Sequence, residues 1–391
     1  MADPTPPPLA GVTIIDLSRV LAGPYCTMVL ARLGARVIKV EMPGTGDDAR
    51  AIGPFANGKS LYFSAINFDK ESIALDLKVE ADREIFEGLL AMGDVLVENY
   101  RPGTMDRLGY GVDEVRAKHP SLIYASTNGF GSTGPYADRA AYDIVVQGMG
   151  GVMSVTGHEG SPPTRVGVSI GDMTAGLYLA LGIVSALLKR SQDPQRRGTR
   201  VEVAMLDAQL ALLEGALTSY HRLGRVAGRE GSRHPSIAPF QAFETADKHV
   251  IIAAGNDRLF ARLCAVLQRA DLASDERFAS NHARREHIDA LQAEMERTLR
   301  SRTSQEWLAK LTAAGVACGP INTVEDVARD PHVAARGMIH QVEDPIAGTL
   351  HVVGNPIRMA GVAEQTSHRP PPELDADRER VVADSLGAAS R

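Results

Sequence analysis

The chain has 391 residues, 44% of them hydrophobic and 23% charged, and a formal net charge of −6. That length suits two domains rather than one, with ordinary globular core material. The negative balance argues against nucleic acid and anionic membrane as partners, while leaving room for a small anionic ligand at a local cluster of Lys and Arg.

Three scattered cysteines, Cys26, Cys264 and Cys318, form no CxxC pair and no zinc spacing. They fit a reduced, intracellular setting with no metal, and Cys26 reads as a small core residue. "MADPTPPPLAG" shows neither a basic n-region nor an apolar h-region, so no signal peptide is expected and the location is expected to be cytoplasmic.

In chain order, "GVTIIDLS" reads as a strand, "PYCTMVLARLG" as a helix ending at Gly34, and "ARVIKVE" as the next strand. "SIALDLK" and "DVLVENY" read as strands with the helical "EADREIFEGLLAMG" between them, and "LIYASTNGFG" as another strand. Strands alternating with helices predict βαβ units and a doubly wound parallel sheet, an α/β Rossmann-like large domain. The weakly polar run 173–188 is short of the ~20 residues that span a bilayer, and it is rich in Ala and Gly, so it reads as a buried helix. "VEVAMLDAQLALLEGAL" reads as strand then helix.

"GRVAGREGSRHPSIAPF" is a Gly/Pro/basic linker. A hairpin ("AFETADKHVIIAAG") and amphipathic helices follow, giving a smaller α+β domain at 225–325. Residues 1–224 form the first part of the large domain, and 326–391 return to complete it. The tail from Ala363 is polar and Pro-rich and is expected to wrap a surface.

No GxxxxGK[ST], no GxGxxG after the first strand, no GxSxG and no HExxH is present. The usual phosphate cradle, serine nucleophile and zinc hydrolase are therefore excluded. What stands out is "GVSIGDMTAGLYLALGIVSALLKR", in which Asp172 heads a long, nearly uncharged helix. An Asp there is a common helix cap; it is also a well-placed nucleophile, because the helix dipole stabilises an anion by ~0.3–1 kcal/mol. Both readings remain open on this stretch alone.

"PLAGVTIIDLSRVLAGPYCTMVLARLGARVIKVEMPGTGDDAR", "SIALDLK", "DVLVENYRPGTMDRLG", "AYDIVVQGMGG", "PPTRVGVSIGD" and "DPHVAARGM" together resemble the class III coenzyme A transferases, over about Pro8 to Gly361. The resemblance implies an interlocked homodimer, coenzyme A or an acyl-CoA as substrate with no permanently bound cofactor, a small carboxylic acid as partner, and Asp172 as nucleophile. A carboxylate nucleophile conserves thioester energy by taking the acyl group as a mixed anhydride and then holding CoA as an enzyme thioester. CoA contacts are implied at Ala22, Leu75, Lys78, Asn99, Tyr100 and Arg107, and Arg101 is a further phosphate candidate.

The chain departs from the formyl-CoA branch at Leu21, where that branch has Gln, and at Met42, where it has Arg. Its linker "GSRHPSIAPFQ" lacks that branch's Gly-rich loop. These differences disfavour oxalate and formate and favour the branch that uses succinyl-CoA with larger, dicarboxylic acids, with Gly231–Gln241 forming part of the pocket wall. A distal carboxylate needs a cation, for which Arg50, Arg139, Arg233 and His234 are candidates, and Leu21 and Tyr142 are candidate pocket residues. One alternative is an α-methylacyl-CoA racemase on the same fold, whose His base would stand where Tyr142 stands; a phenol near pKa 10 is a poor base, though Asp143 is adjacent. Another is one subunit of a hetero-oligomeric transferase.

Overall fold

A computed structural model describes residues 5–389, and its packing divides the chain into two compact units. The first unit takes in the chain up to Val152, Arg165–Thr218 and the residues from Pro331 onward. Its centre is a six-stranded sheet of β1 (Thr13–Asp16), β2 (Arg36–Glu41), β3 (Glu71–Ala74), β4 (Val95–Glu98), β5 (Ile123–Asn128) and β6 (Arg200–Ala204). All neighbours are parallel, in the order β3-β2-β1-β4-β5-β6. The expected doubly wound parallel sheet is present.

The apolar runs follow from burial on both faces. Ile14, Val37, Val95, Val97, Ile123 and Ala125 point to one side. Ile15, Ile38, Val40, Leu96 and Tyr124 point to the other. Helix α1 (Ala22–Ala31) follows β1, α2 (Leu61–Asn67) precedes β3, and α3 (Glu80–Met92) leads to β4. Helices α4 (Asp143–Met149) and α5 (Ile170–Gln192), with a single turn at Val152–Val155 between them, separate β5 from β6. The order in which strands are added reverses between β1 and β4, so the crevice of a doubly wound sheet opens there, at the carboxyl ends of the strands.

At 23 residues, α5 is longer than the run read from sequence, and long and apolar enough to cross a membrane by length and composition. One face of it packs into the core. Leu179, Ala180, Ile183 and Ala186 join Cys26 and Leu30 of α1 in the cluster on one face of the sheet. At its far end Arg190, 7% exposed, donates to Asp94 Oδ1 at 2.6 Å and to the Ser121 carbonyl at 3.0 Å.

The polar tail does more than wrap a surface. After an antiparallel hairpin, Ile339–Asp344 with Gly348–Val353, the described residues finish with a helix, Arg378–Ala389, packed on α3. Val381 is fully buried in the core against Phe86 and Leu89. Ser385 is also fully buried and fits because Gly88 faces it: a Cβ there would stand 2.9 Å from the Ser385 carbonyl oxygen. So few apolar residues hide the helix from hydrophobic periodicity.

The second unit consists of residues 153–164 and 219–330. Its antiparallel strands, Phe240–Glu244, His249–Ala253 and Ala317–Pro320, have His249–Ala253 in the middle. Helices Asp257–Leu267, Ile288–Leu299 and Ser304–Ala313 cover them around Phe243, Ile252, Leu263, Met295 and Trp307. Thr303 and Glu306 form a reciprocal capping box on the last helix. The excursion at 153–164 carries no signal in the sequence.

Val381→Ala removes packing from a site with no access to water. It is expected to destabilise the protein by about 1–3 kcal/mol, read as a lower urea midpoint with unchanged slope. An unchanged midpoint would mean the tail is not part of the core.

Candidate active site

Helix α5 begins at Ile170 with Ser169 as N-cap, and Ser169 makes no side-chain cap bond. Asp172 is therefore the third residue of the helix rather than its cap. Its carboxylate makes no hydrogen bond or ion pair among the described residues. Burial, and then the charge of Asp143, push it up to about 7. A dipole contribution of ~0.3–1 kcal/mol is worth less than one pKa unit, and desolvation is larger.

Asp143 is held by its own set of partners. Oδ1 accepts the Gly171 N–H at 2.8 Å, and Oδ2 accepts the Gln147 side-chain amide at 2.7 Å, with Arg165 Nη2 at 3.6 Å. Gln147 Oε1 in turn accepts the Val166 N–H at 2.9 Å. Helix α4 thus fastens both ends of the segment 166–171 that leads into Asp172. The anion that raises the Asp172 pKa is the same one that fixes its backbone.

Asp172 lies at the rim of the crevice because of how α5 packs. A Cβ on Gly176 would stand 2.6 Å from the Ala22 carbonyl oxygen, so α1 enters at close quarters one turn beyond Asp172. The opposite end of α5 reaches Asp94, just ahead of β4. The helix therefore runs from the carboxyl edge of the sheet to the amino edge, with Asp172 at the carboxyl end.

Tyr62, on α2, is a member of this site that the sequence reading missed. Burial and then the carboxylates of Asp172, Asp47 and Asp143 push its phenol up to about 12, so it stays protonated at neutral pH and can donate. Nothing in "SLYFSAIN" separates it from a core tyrosine; only the fold brings it to the carboxylates.

The expected CoA contacts, with the pocket candidate Leu21, lie in the loops at the carboxyl ends of three strands or in the first turns of the helices that follow. Leu21 and Ala22 follow β1, Leu75 and Lys78 follow β3, and Asn99, Tyr100, Arg101 and Arg107 follow β4. Lys78, Arg101 and Arg107 are exposed and carry no ion pair among the described residues, as a polyanion site requires. Leu75 is 2% exposed and belongs to the core. Asn99 is engaged elsewhere, accepting the Arg19 N–H and donating to the Arg19 carbonyl, both at 2.8 Å. It enters the site as a brace.

The distal-carboxylate candidates divide. Arg50 is corrected. It makes a two-pronged pair with Glu41 at 2.8 Å on each arm, donates to the Pro372 carbonyl and stacks on Phe63, so its guanidinium is already spoken for. Arg233 is likewise taken, by Asp289 and Gln292. Arg139 is exposed, rests on the rings of Phe130 and Tyr136 and has no carboxylate partner among the described residues. Tyr142 is 74% exposed, just ahead of Asp143. His234 lies in the second unit, with Nδ1 accepting the Ser236 N–H and its ring against Phe240.

Fold and crevice are those of a doubly wound α/β protein that takes its ligand at the carboxyl ends of the strands. The profile of CoA-transferase family III matches residues 9–378, and the chain belongs to that family. It is a CoA-transferase. An acetyl-CoA:oxalate CoA-transferase of Acetobacter aceti is 44% identical over 94% of this chain and 93% of its own. The succinyl-CoA:glutarate CoA-transferase of Mus musculus is 37% identical over 97% of this chain and 86% of its own. The crystal structure of a CaiB/BaiF family protein from Brucella suis superposes with a TM-score of 0.86 at 38% identity, covering 97% of this chain and 100% of that one. The expectation that oxalate is disfavoured finds no support among these relatives.

A carboxyl raised from 3.8 to about 7 on folding opposes the folded state as pH rises. The unfolded chain releases this proton near pH 4, and the folded chain holds it until about pH 7. The opposition therefore grows between those values and is constant above them. Asp172→Asn is expected to raise the melting temperature by roughly a few degrees at pH 8 and to lose that advantage as pH falls toward 4. A difference independent of pH would show that Asp172 titrates normally.

Proposed function

We propose that this transferase moves CoA from succinyl-CoA to a dicarboxylic acid through covalent intermediates on Asp172. The observation that carries the reading is a carboxylate at the crevice rim, half shielded from water, with no hydrogen bond or ion pair among the described residues. Ionised, such a group is a strong nucleophile because no donor has to be displaced before it attacks.

The steps balance as follows. The Asp172 carboxylate attacks the succinyl thioester carbonyl, forming the mixed anhydride and releasing CoA thiolate. The thiolate attacks the aspartyl carbonyl, giving aspartyl-CoA thioester and free succinate. The acceptor carboxylate attacks that thioester to form a second anhydride and thiolate. Attack of the thiolate on the acceptor acyl carbon then yields the new acyl-CoA and restores Asp172. Each attack passes through an oxyanion, for which the Tyr62 phenol is a donor candidate beside backbone amides.

The acceptor class is supported by relatives named for oxalate, glutarate, D-citramalate and mesaconate, all dicarboxylic acids, and the donor by several named for succinyl-CoA. Arg139 is the cation we assign to the distal carboxylate. The racemase alternative needs a free base beside Tyr142, whereas both oxygens of Asp143 are occupied.

The test is covalent trapping. Incubation with succinyl-CoA, borohydride reduction and peptide mass analysis are expected to show Asp172 reduced to the alcohol, with no such product in Asp172→Ala. The same chemistry predicts a turnover that falls about tenfold per pH unit well below about 7, as the nucleophile becomes protonated. An unmodified Asp172 across a panel of CoA esters would overturn the reading, and exchange of α-protons on branched acyl-CoAs would then be measured.

We further propose a homodimer. Along α5, Leu177, Leu181 and Leu188 are 48%, 62% and 60% exposed and share one face, and a second copy is the cover we assign to it. Native mass spectrometry of the purified chain is expected to show an active dimer. An active monomer, or activity only with a second kind of chain, would refute it.

A further inference from the structure

The loop "LSRVLAG" joins β1 to α1 and places the Ala22 carbonyl against Gly176, one turn beyond Asp172. Within it Val20 has φ +66°, the left-handed region. A β-branched residue is a genuine outlier there, and such a conformation persists only when its surroundings over-determine it.

The surroundings do so at three consecutive residues. The Ser18 carbonyl accepts from Lys39 Nζ at 2.7 Å. The backbone of Arg19 is held on both sides by Asn99. The Val20 N–H donates to Asp47 Oδ1 at 2.9 Å, while Asp47 Oδ2 pairs with Lys39 at 2.8 Å. Lys39 is fully buried and the Asp47 side chain is 1% exposed. One ion pair therefore grips the loop at both flanks of Arg19.

We infer that Asp47, paired with Lys39, is a positioning residue for the CoA-transfer reaction: it imposes the left-handed turn at Val20 and so sets the wall of the acyl pocket against the helix of Asp172. The inference rests on the reaction proposed above. It differs from a plain stabilising role in one respect. If the pair's task is to enforce a conformation that valine resists, a residue that adopts that conformation freely makes the pair dispensable. Glycine is such a residue.

The experiment is a double-mutant cycle in the full chain, comparing Val20→Gly, Asp47→Ala and the double variant by kcat and KM. Asp47→Ala is expected to lower kcat about tenfold or more, within the range that backbone strain of this kind represents, with a smaller change in KM for the acyl-CoA. The double variant is expected to return to within about threefold of Val20→Gly alone, a coupling that mere stabilisation does not produce. Failure of Val20→Gly to rescue, or an unchanged kcat in Asp47→Ala, overturns the inference.

If Asp47→Ala does not fold, Asn99→Ala releases the same loop from its other side and enters the same cycle with the same criteria. If wild-type protein shows no CoA transfer and Asp172 cannot be trapped, the reaction falls instead. The clamp is then read from amide hydrogen exchange of residues 17–22. Exchange is expected to be slow in wild type, faster in Asp47→Ala and slowed again in the double variant; equal rates in all three refute it.

Discussion

A carboxylate shielded from water and given no donor of its own is the constraint around which the first unit is arranged. Burial penalises the charged form, so Asp172 is pushed up to about 7 with a neighbouring anion adding to the penalty. Other carboxylates at the same edge of the sheet are treated differently. Asp16 has Lys70 at 3.2 Å, Glu41 has Arg50 and Asp47 has Lys39, each at 2.8 Å. Among the described residues Asp172 has no paired cation, whereas each of these has one. Glu98, at the end of β4, is also without a paired cation and is also raised to about 7 by burial, but it accepts the Tyr100 N–H at 2.8 Å, so what marks Asp172 is the lack of any donor.

Holding such a group in place falls to the backbone, since its side chain makes no hydrogen bond or ion pair among the described residues. Asp143 and Gln147 fix the approach through Gly171 and Val166. Arg190 pins the far end of the helix at Asp94. Gly176 allows α1 to close against it. The ion pairs beneath the crevice belong to the same design. Replacing a buried pair by apolar residues is often neutral for stability, whereas removing one partner costs about 3–5 kcal/mol. A cluster such as Lys39, Asp47, Glu41 and Arg50 is therefore better explained by the loop geometry it enforces than by net stabilisation.

How much of this can be read from sequence depends on the range of the interaction. The β1 to β5 strands and α1 and α3 follow from local periodicity and lie within a few residues of their expected limits. Asp172 was visible because it heads an apolar helix. Whether it caps the helix was not, because that turns on whether an oxygen accepts a bond from a backbone N–H. Arg50 read as a free cation because Glu41 is nine residues away and reaches it only after β2 and the following turn have formed. Tyr62, Lys39 and Asp47 were missed for the same reason. Each looks local in sequence and acquires its role from elements separated along the chain. The last helix escaped because its buried face needs only Val381, Val382 and Ser385, too few to set up a period.

The two faces of α5 carry the argument one step further. Ala175, Leu179, Ile183, Ala186 and Arg190 are spaced by three and four residues and are buried in the unit's own core. Leu177, Leu181 and Leu188 form a second apolar stripe on the outer side. A helix covered on one side only is free to adjust at its ends. One gripped on both faces presents its first turn in a fixed direction. In the proposed dimer the outer stripe meets a second copy, so the surface that drives association also immobilises the turn bearing Asp172. On the proposed reading, the placing of Asp172 and the association of two copies become one property of a single helix, which accounts for a run so poor in charge and so rich in small residues.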